Sequence, residues 1–222
     1  MNCTAIILAA GASSRMQGTD KQLLSVNGIP VIVRSALNFQ KTSVVSEIII
    51  AAKAELCGEI SELCEKAGIT KLKTVCAGGN TRAKSAAMAF SHAGKTDVTL
   101  IHDGARPFAT PEIITAVAEA AQENGGAIAA VAVTDTIKCV KDGFIASTPE
   151  RSTLYGAQTP QGFRTELYRE MLAQGGDFTD DSQLAEAMGI KVKIVTGSYD
   201  NIKITTPEDI ARAEIIAKKE DF

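Results

Sequence analysis

The sequence of 222 residues has no tryptophan, only two histidines and five cysteines, and the cysteines form no C-x-x-C pair. No apolar stretch approaches the ~20 residues that a membrane-spanning helix needs. The first residues lack a cationic segment followed by an apolar core, so we expect no signal or transit peptide. The two histidines lie near no cysteine pair, which disfavours a zinc site. We therefore expect a cytoplasmic chain whose cysteines are reduced and buried.

The charge pattern argues against a nucleic-acid partner. The formal net charge is −3 and the pI is about 5.5. Lysine and arginine are scattered among acidic residues, whereas proteins that bind nucleic acid usually carry a basic face. Because 45% of the residues are hydrophobic, the chain can bury a sizeable core. We expect small-molecule partners, with neither nucleic acid nor membrane among them.

Three common motifs of nucleotide and ester chemistry are also missing. The apolar run Thr4–Leu8 is not followed by G-x-G-x-x-G, and the chain contains no G-x-x-x-x-G-K-[ST]. These absences weaken the interpretations as a dehydrogenase or a P-loop ATPase. A serine hydrolase would need a G-x-S-x-G elbow, which is lacking too.

What the chain does have is a regular alternation of apolar runs of strand length with longer helical patterns. The predicted strands are Thr4–Leu8, Ile48–Ala52, Leu72–Ala77, Val98–His102, Ala127–Val133 and Val192–Thr196. The predicted helices are Val31–Phe39, Ala54–Ala67, Arg82–Ala93, Pro111–Asn124, Thr165–Ala173 and Pro207–Lys219. Such alternation requires right-handed crossovers. The sequence therefore predicts a single α/β domain over residues 1–222, with a mostly parallel sheet and helices on both faces.

The alternation breaks once, between Thr134 and Leu154. There Asp135–Val140 and Phe144–Ser147 flank a Lys-Asp-Gly turn, which is typical of a β-hairpin. A hairpin of this size has no obvious place inside a parallel sheet. We predict that residues 134–154, called the arm below, project and pack on a second subunit, with a lid over the site as the alternative.

Polar residues and glycines follow four of the predicted strands. They are Gly11, Arg15 and Lys21 after the first, Gly78–Arg82 and Ser85 after the third, Asp103 and Arg106 after the fourth, and Thr134–Thr136 after the fifth. In an open parallel sheet, ligands bind at the carboxyl ends of the strands. A turn or a solvated charge would explain each residue alone, but their convergence favours a site. Two cations in a loop of small residues suit a nucleoside triphosphate.

The second half adds polar loops at the ends of segments. They hold Arg151, Gln158–Gln161, Thr179–Asp181 and Asp200–Lys203. The Asp180-Asp181 pair is typical of a helix N-cap. Lys203 stands between Ile202 and Ile204, so its ammonium group should have a definite partner, and we expect a phosphate.

Together these residues resemble one family. The motifs are L-A-A-G-x-x-x-R-M, then K-Q, H-D-G-A-R-P, Q-T-P-Q and D-N-I-K-I-T-T-P-E-D, in this order from Ala5 to about Ala213. They resemble the 2-C-methyl-D-erythritol 4-phosphate cytidylyltransferases of the nonmevalonate route to isoprenoids. The last motif is specific, whereas the first is shared with many sugar-nucleotide transferases.

The resemblance implies a Rossmann-like nucleotidyltransferase fold, magnesium or another divalent cation, and a homodimer formed through the arm. The implied reaction is attack by a sugar-alcohol phosphate on the α-phosphorus of CTP, with pyrophosphate released. An ionised phosphate needs no general base, which agrees with the lack of a candidate catalytic histidine.

The resemblance also implies residue roles. Catalysis falls to Arg15 and Lys21, which stabilise charge on the triphosphate, and to Arg151 and Lys203, which position the acceptor phosphate. The implied nucleotide-binding residues are Ala9, Ala10, Gly11, Gly79, Asn80 and Ser85. The implied substrate-binding residues are Asp103, Arg106, Thr136, Thr159 and Thr179. Asp103 is in addition a candidate ligand of the metal, and Thr136 and Arg151 would serve the neighbouring subunit's site.

Two departures from the family pattern and two alternatives accompany this interpretation. Asp20 stands where the family usually has proline and could pair with Lys21 or turn outward, and Asn80 stands where aspartate is common. The nearest alternative is a ribitol 5-phosphate cytidylyltransferase, whose relatives tend to carry L-A-G-G where this chain has Ala10. The remote one is a catalytically silent nucleotide-binding protein, which would be expected to lose its cations.

Overall fold

The computed structural model describes residues 1–11, 20–176, 178 and 180–220. Its strands are β1 (Cys3–Leu8), β2 (Ser25–Val26), β3 (Ile29–Pro30), β4 (Val45–Ala52), β5 (Leu72–Ala77), β6 (Val98–Asp103), β7 (Gly126–Ala132), β8 (Cys139–Lys141), β9 (Phe144–Ser147), β10 (Tyr155–Arg164) and β11 (Lys193–Thr196). Its α-helices are α1 (Val31–Lys41), α2 (Cys57–Lys66), α3 (Arg82–Phe90), α4 (Pro111–Asn124), α5 (Thr165–Gln174), α6 (Asp181–Ala187) and α7 (Pro207–Glu220). Short 3-10 turns lie at Ala54–Leu56 and Arg151–Thr153.

The central sheet has seven strands in the order β11-β7-β10-β6-β1-β4-β5. Strand β10 runs antiparallel to both of its neighbours, and the remaining pairs are parallel. From β1 the chain builds in one direction through β4 and β5, and then places β6 on the other side of β1. This reversal of strand order leaves a crevice at the carboxyl ends of the strands, where α/β proteins bind ligands. The expected α/β architecture is confirmed.

Helices cover both faces of the sheet, and because consecutive residues of a strand point to opposite sides, each strand contributes side chains to both faces. Ile7 packs in a cluster with Ile32 of α1, and α2 and α4 contribute to the same cluster. Ile6 packs in a second cluster with Phe90 of α3, which α5 and α6 complete. Both isoleucines are fully buried. The fold therefore has three layers, with the sheet between two layers of helices. The carboxyl ends of neighbouring strands lie in register, since Leu8 pairs with both Ala51 and Asp103.

Helix α7 covers a third, smaller cluster close to the crevice. Its buried members include Val31, Phe108, Ile204 and Ile216. The backbone N–H of Ile204 donates to the carbonyl of Ala105, 2.8 Å away. This hydrogen bond ties the segment before α7 to the loop that follows β6, so residues far apart in sequence meet at the crevice.

The prediction that Gln158–Gln161 form a polar loop is wrong, because these residues lie in the middle of β10 and are buried. Their polar groups have partners in the interior. Gln158 Nε2 donates to the carbonyl of Ser198, and Gln161 Oε1 accepts from the backbone N–H groups of Asp181 and Ser182. These hydrogen bonds remove the cost of burying polar side chains in a strand. The register with β7 shifts between Ala157 and Gln161.

The hairpin prediction is confirmed in its local geometry. Strands β8 and β9 pair with each other in a separate two-stranded sheet, and Asp142 and Gly143 both have positive φ angles, 51° and 83°. Two such residues in succession make the turn that matches the twist of a β-hairpin. At its base, the N–H of Val133 donates to the carbonyl of Leu154. Val140, Phe144 and Ile145 of the arm are 63%, 79% and 65% exposed.

All five cysteines are unpaired, as expected, but they are not all buried. Burial raises the pKa of Cys3 to about 12 and the pKa of Cys64 to about 11, so both thiols stay protonated at neutral pH. Cys139 lies exposed on the arm, contrary to the expectation of burial. Among the described residues, no helix is long and apolar enough to cross a membrane.

Candidate active site

A cleft of about 370 Å³ lies at the carboxyl ends of β1, β5 and β6. Its lining residues are Leu8, Ala10, Gly11, Lys21, Gln22, Gly79, Asn80, Thr81, Arg82, Ser85, Asp103, Ala105 and Lys203. Eight of them were predicted as site residues: Ala10, Gly11, Lys21, Gly79, Asn80, Ser85, Asp103 and Lys203. The convergence expected from the strand ends therefore occurs for three of the four ends, whereas Thr134–Thr136 after β7 do not line the described part of the cleft.

The other predicted residues fall into three groups. Ala9, Arg106 and Thr159 lie beside the cleft: the N–H of Ala9 donates to the carbonyl of Ala51, while Arg106 and Thr159 contact Asp103. Thr136 and Arg151 belong to the exposed arm and do not line the described part of the cleft. Arg15 and Thr179 lie outside the described residues.

The loop after β5 approaches the loop after β1 so closely that glycine is required there. A Cβ atom on Gly78 would lie 2.4 Å from the Cβ of Ala10 and 2.8 Å from the Oγ of Ser85. A Cβ atom on Gly79 would lie 2.5 Å from the Cβ of Lys84. Neighbouring side chains thus leave no room for a side chain at either glycine, and the backbone of Gly78 and Gly79 forms this wall of the cleft.

Helix α3 begins directly behind this glycine pair. Thr81 caps it, since its hydroxyl accepts from the N–H of Lys84. The hydroxyl of Ser85, one turn into the helix, is directed back to the loop and donates to the carbonyls of Gly79 and Thr81, 3.2 and 2.9 Å away. The first turn of the helix and the loop therefore form one unit at the edge of the cleft.

The carboxylate of Asp103 is the centre of charge in the cleft. Its Oδ2 lies 2.7 Å from Lys203 Nζ and 3.8 Å from Arg106 Nε, and its Oδ1 lies 3.8 Å from Arg82 Nε. Burial alone would raise the pKa of Asp103, but the three cations outweigh burial and lower the pKa to about 2. Asp103 is thus ionised at neutral pH, and the three cations outnumber the carboxylates of Asp103 and Asp181, which leaves this side of the cleft attractive to phosphates.

Lys203 therefore has a definite partner within the chain, as its apolar neighbours predicted, and that partner is the Asp103 carboxylate. The expected contact with a phosphate stays a prediction. The hydrogen bond from Ile204 to Ala105 fixes the backbone on which Lys203 stands. Next to Lys203, Lys21 Nζ donates to the carbonyl of Ile204, 3.2 Å away. Two lysines from the two ends of the chain thus meet at one backbone position.

Asp20, the first departure from the family pattern, forms an ion pair with Lys53. Its Oδ2 lies 2.7 Å from Lys53 Nζ, and its Oδ1 accepts from the N–H of Gln22. The carboxylate therefore fixes the backbone around Lys21 and anchors it to the end of β4.

A buried hydrogen-bond chain shapes the loop after β6. His102 is fully buried, and its Nε2 lies 2.9 Å from the carbonyl of Arg106. Because a carbonyl only accepts, Nε2 carries the proton, and Nδ1 accepts from the hydroxyl of Thr159, 3.0 Å away. The same hydroxyl accepts from the N–H of Asp103. Burial is the main reason that the pKa of His102 is lowered to about 4, so the ring is neutral at physiological pH.

Arg106 is held by this loop and by the segment before α7. Its Nη1 donates to the carbonyl of Asn201, 2.8 Å away, and its Nη2 to the carbonyl of Ala157. Asn201 is fully buried and donates to the carbonyl of Thr159. Arg106 therefore links β6, β10 and the Asp200–Lys203 motif, and it faces the interior as much as the cleft.

Sequence reasoning named Arg82 and Asp181 among the polar residues at segment ends but assigned neither of them a role in the site. Arg82 lines the cleft and forms an ion pair with Asp181, whose side chain is 6% exposed. Asp180 caps α6 as predicted, accepting from the N–H of Gln183, whereas Asp181 points inward. The position of Arg82 directly after Gly-Gly-Asn-Thr at a strand end was the available signal for it.

The described residues do not fit a protein cage for a metal ion. No group of three or more His, Cys, Asp or Glu side chains in this part of the chain is placed to hold one. Asp103, the predicted metal ligand, is already surrounded by Lys203, Arg82 and Arg106, and a dication at the same carboxylate would be repelled by them. Magnesium commonly binds through substrate phosphates with few protein ligands, and the described part of the cleft is compatible with that mode.

Comparison with known proteins identifies the family of the chain. The family model described as 2-C-methyl-D-erythritol 4-phosphate cytidylyltransferase matches residues 3–219. Proteins of that name from Geobacter metallireducens and Bacillus licheniformis are 40% and 41% identical, covering 97% and 99% of this chain and 97% of each relative. The crystal structure of 4-diphosphocytidyl-2C-methyl-D-erythritol synthase from Anaerococcus prevotii superposes with a TM-score of 0.87 at 32% identity, covering 98% of this chain and 96% of that one. The chain belongs to the 2-C-methyl-D-erythritol 4-phosphate cytidylyltransferase family.

Proposed function

We propose that this protein joins CTP and 2-C-methyl-D-erythritol 4-phosphate to give 4-CDP-2-C-methyl-D-erythritol and pyrophosphate, in the formation of isoprenoid precursors. Relatives named 2-C-methyl-D-erythritol 4-phosphate cytidylyltransferase match the chain over almost its whole length. The observation that carries the proposal within the structure is the ion pair between Lys203 and Asp103, which places a second lysine beside Lys21 at the cleft.

The reaction needs little covalent chemistry from the protein. An ionised oxygen of the acceptor phosphate attacks the α-phosphorus of CTP, and a new P–O bond forms. The bond between the α-phosphorus and the oxygen bridging to the β-phosphorus breaks, and its electron pair leaves with pyrophosphate. Because the nucleophile is already an anion, catalysis consists of positioning and of stabilising charge on phosphate oxygens.

We assign the two walls of the cleft to the two substrates. The backbone of Gly79, with Ala10, Gly11, Asn80 and Ser85, holds the cytidine, because this wall offers backbone groups at close approach. Lys21 and Arg15 stabilise the charge that builds up on the triphosphate. Lys203 binds the acceptor phosphate, with Asp103 and Arg106 fixing its position. The hydroxyl of Thr159 accepts a hydrogen bond from the backbone N–H of Asp103 and so helps to fix its position.

A divalent cation, with magnesium as the natural candidate, accompanies the triphosphate in this proposal. Bound to phosphate oxygens, it neutralises charge on the leaving pyrophosphate. A direct bond from Asp103 to the metal is less favourable than the ion pair with Lys203, for the electrostatic reason given above.

A cytoplasmic location stays a prediction from the sequence.

The arm suits contact with a second copy of the chain. The exposure of Val140, Phe144 and Ile145 leaves three large apolar side chains in water, which a partner surface would cover. In the proposed homodimer the arm crosses to the neighbour, and Thr136 and Arg151 complete the neighbour's cleft. Arg151 Nη1 donates to the carbonyl of Thr134, which fixes the base of the arm on which both residues stand.

The proposed function is tested by measuring pyrophosphate release from CTP and magnesium with two acceptors in parallel. Release with 2-C-methyl-D-erythritol 4-phosphate and not with ribitol 5-phosphate is the expected result. Release with ribitol 5-phosphate alone would keep the cleft and the chemistry but overturn the proposed acceptor. No release with either acceptor, despite measurable binding of CTP, would favour a silent nucleotide-binding protein.

A further inference from the structure

A buried hydrogen-bond chain leads from the core behind the cleft to Arg82. Tyr168 of α5 is fully buried, and its hydroxyl donates to Asp181 Oδ1, 2.9 Å away. Asp181 Oδ2 accepts from Arg82 Nη1. Arg82 Nε in turn lies 3.8 Å from Asp103 Oδ1 at the cleft. The chain Tyr168–Asp181–Arg82–Asp103 therefore connects three elements of the fold to the centre of charge.

Asp181 is held firmly enough to act as a support. Its backbone N–H and that of Ser182 both donate to Gln161 Oε1, each at 3.0 Å. Its side chain does not line the cleft, so it acts on the site through Arg82. Burial opposes the charge of Arg82, but Asp181 and Asp103 outweigh burial and raise its pKa. The guanidinium is thus a fixed cation between a buried carboxylate and the cleft.

Arg82 has donors that this network does not use. In the described part of the chain, its buried Nη2 has no hydrogen-bond partner. An unpaired buried donor is costly, and a guanidinium presents its donors in a rigid plane. Once Asp181 and Asp103 fix the plane, the remaining N–H groups have a fixed direction as well. Because the side chain of Arg82 lines the cleft, a phosphate oxygen bound there is a natural acceptor for the guanidinium.

The ring of Tyr168 would be equally well packed without its hydroxyl. It stacks on Phe163 at 5.9 Å and meets Phe90 edge-on at 5.3 Å. A phenylalanine would fill the same space between these rings. The hydroxyl is therefore explained by its hydrogen bond to Asp181 and not by packing.

We propose that Tyr168 is a positioning residue, whose hydroxyl acts through Asp181 to orient Arg82 as a phosphate-binding residue of the cleft. Arg82 would touch the substrate directly, whereas Tyr168 and Asp181 would act only through it. This inference rests on the proposed function, since it deepens the description of the same cleft.

The test is a double-mutant cycle with Tyr168→Phe and Arg82→Lys, measured as kcat and KM for both substrates. Loss of a hydrogen bond to a buried charged group should lower kcat/KM about tenfold in Tyr168→Phe. Arg82→Lys, which keeps the charge but loses the planar fork, should lower it by about 100-fold. If Tyr168 acts through Arg82, adding Tyr168→Phe to Arg82→Lys should cost little more.

Two controls separate positioning from a structural role. Phe90→Leu loosens the packing of the same ring but leaves the hydroxyl in place, so it should lower stability without raising KM. Asp181→Asn keeps the size of the side chain but loses its charge, so it should raise KM as Tyr168→Phe does. A fall in the amount of folded enzyme would lower kcat alone.

Full activity in Tyr168→Phe, or losses that multiply in the double variant, would overturn the inference. The same cycle is measured on the dissociation constant of CTP by calorimetry. A wild-type protein without transferase activity would overturn the proposed function, whereas the coupling between Tyr168 and Arg82 would still be decided by the binding data.

Discussion

The ammonium group of Lys203 lies 2.7 Å from Asp103 Oδ2, on a segment tied to the loop after β6 by the hydrogen bond from Ile204 to Ala105. The lysine is therefore already in place beside the cleft before an acceptor phosphate binds. A preorganised donor of this kind costs no reorganisation during the reaction.

Lys203→Met keeps most of the side-chain stem and removes its charge. We expect kcat/KM for the acceptor phosphate to fall by about 10²–10³, since a preorganised cation is lost, while the affinity for CTP changes less. Steady-state kinetics for each substrate and calorimetry with CTP measure this. The matched control is Lys193→Met on the exposed edge strand β11, which should retain wild-type kinetics. Equal losses in the two variants would contradict the role of Lys203.

The buried neutral ring of His102 should make the fold sensitive to mild acid. The pKa of His102 is near 6.5 in the unfolded chain and about 4 in the folded protein. The unfolded chain therefore binds a proton at His102 more tightly than the folded protein does. Stability from this group is therefore complete above about pH 6.5 and is lost as the pH falls toward 4, by about 3 kcal/mol in all. Asp103, with a folded pKa of about 2 against 3.8, adds a further loss only below that window.

Urea unfolding between pH 7 and pH 4 measures this dependence. His102→Asn should be less stable at pH 7 and should lose less stability across the window. His92, the other histidine, is exposed, so His92→Gln should keep the wild-type slope. An unchanged slope in His102→Asn would show that another group controls the acid sensitivity.

The contact between the loops after β1 and β5 predicts that Gly78→Ala is damaging. Its new Cβ would collide with Ala10 and Ser85, which line the wall of the cleft proposed to hold the cytidine. We expect a loss of about 1–3 kcal/mol in the free energy of unfolding, together with weaker binding of CTP. Gly58→Ala in α2 is the opposite case, because nothing lies within 4 Å of its added Cβ. This exposed helical position should gain about 0.5–1 kcal/mol.

The proposed dimer predicts that Phe144→Ser on the arm weakens self-association. Burying one phenylalanine contributes about 1.5–3 kcal/mol, and a two-fold interface contains the position twice, so the dissociation constant should rise by about 100-fold or more. Sedimentation equilibrium measures it, and activity should fall at concentrations where the variant is monomeric. Met88→Ser, at another exposed apolar position, should leave the dimer unchanged. A wild-type chain that is monomeric at micromolar concentration would contradict the proposal.

The parallel strands and the site edge were predictable from sequence because buried strands such as β1 and β4 are continuous apolar runs of characteristic length. Since the carboxyl ends of such strands meet at one edge, Gly79, Ser85 and Asp103 could be placed together without a structure. The turn of the arm was predictable for a similarly local reason, the Asp142-Gly143 pair.

Strand β10 was not predictable in the same way. Pro160 and the polar Gln158 and Gln161 are unfavourable in a central strand by local rules. Their hydrogen-bond partners, Ser198, Asp181 and Ser182, come from distant parts of the chain, and only the folded arrangement shows that these polar groups are satisfied.

The partners of the charged residues were beyond reach of the sequence for the same reason. A pattern can indicate that Lys203 is held, but it does not say whether a phosphate or Asp103 holds it. Likewise, nothing near Tyr168 in the sequence points to Arg82, because the two are connected only through Asp181.

The most direct test of the whole account is ³¹P NMR of the reaction of CTP with 2-C-methyl-D-erythritol 4-phosphate and magnesium in the presence of the wild-type protein. The account predicts a pyrophosphate signal and, in equal amount, two mutually coupled phosphorus signals from a new diphosphate. Orthophosphate or free cytidine phosphates without the coupled pair, or CTP that is not consumed, would contradict it.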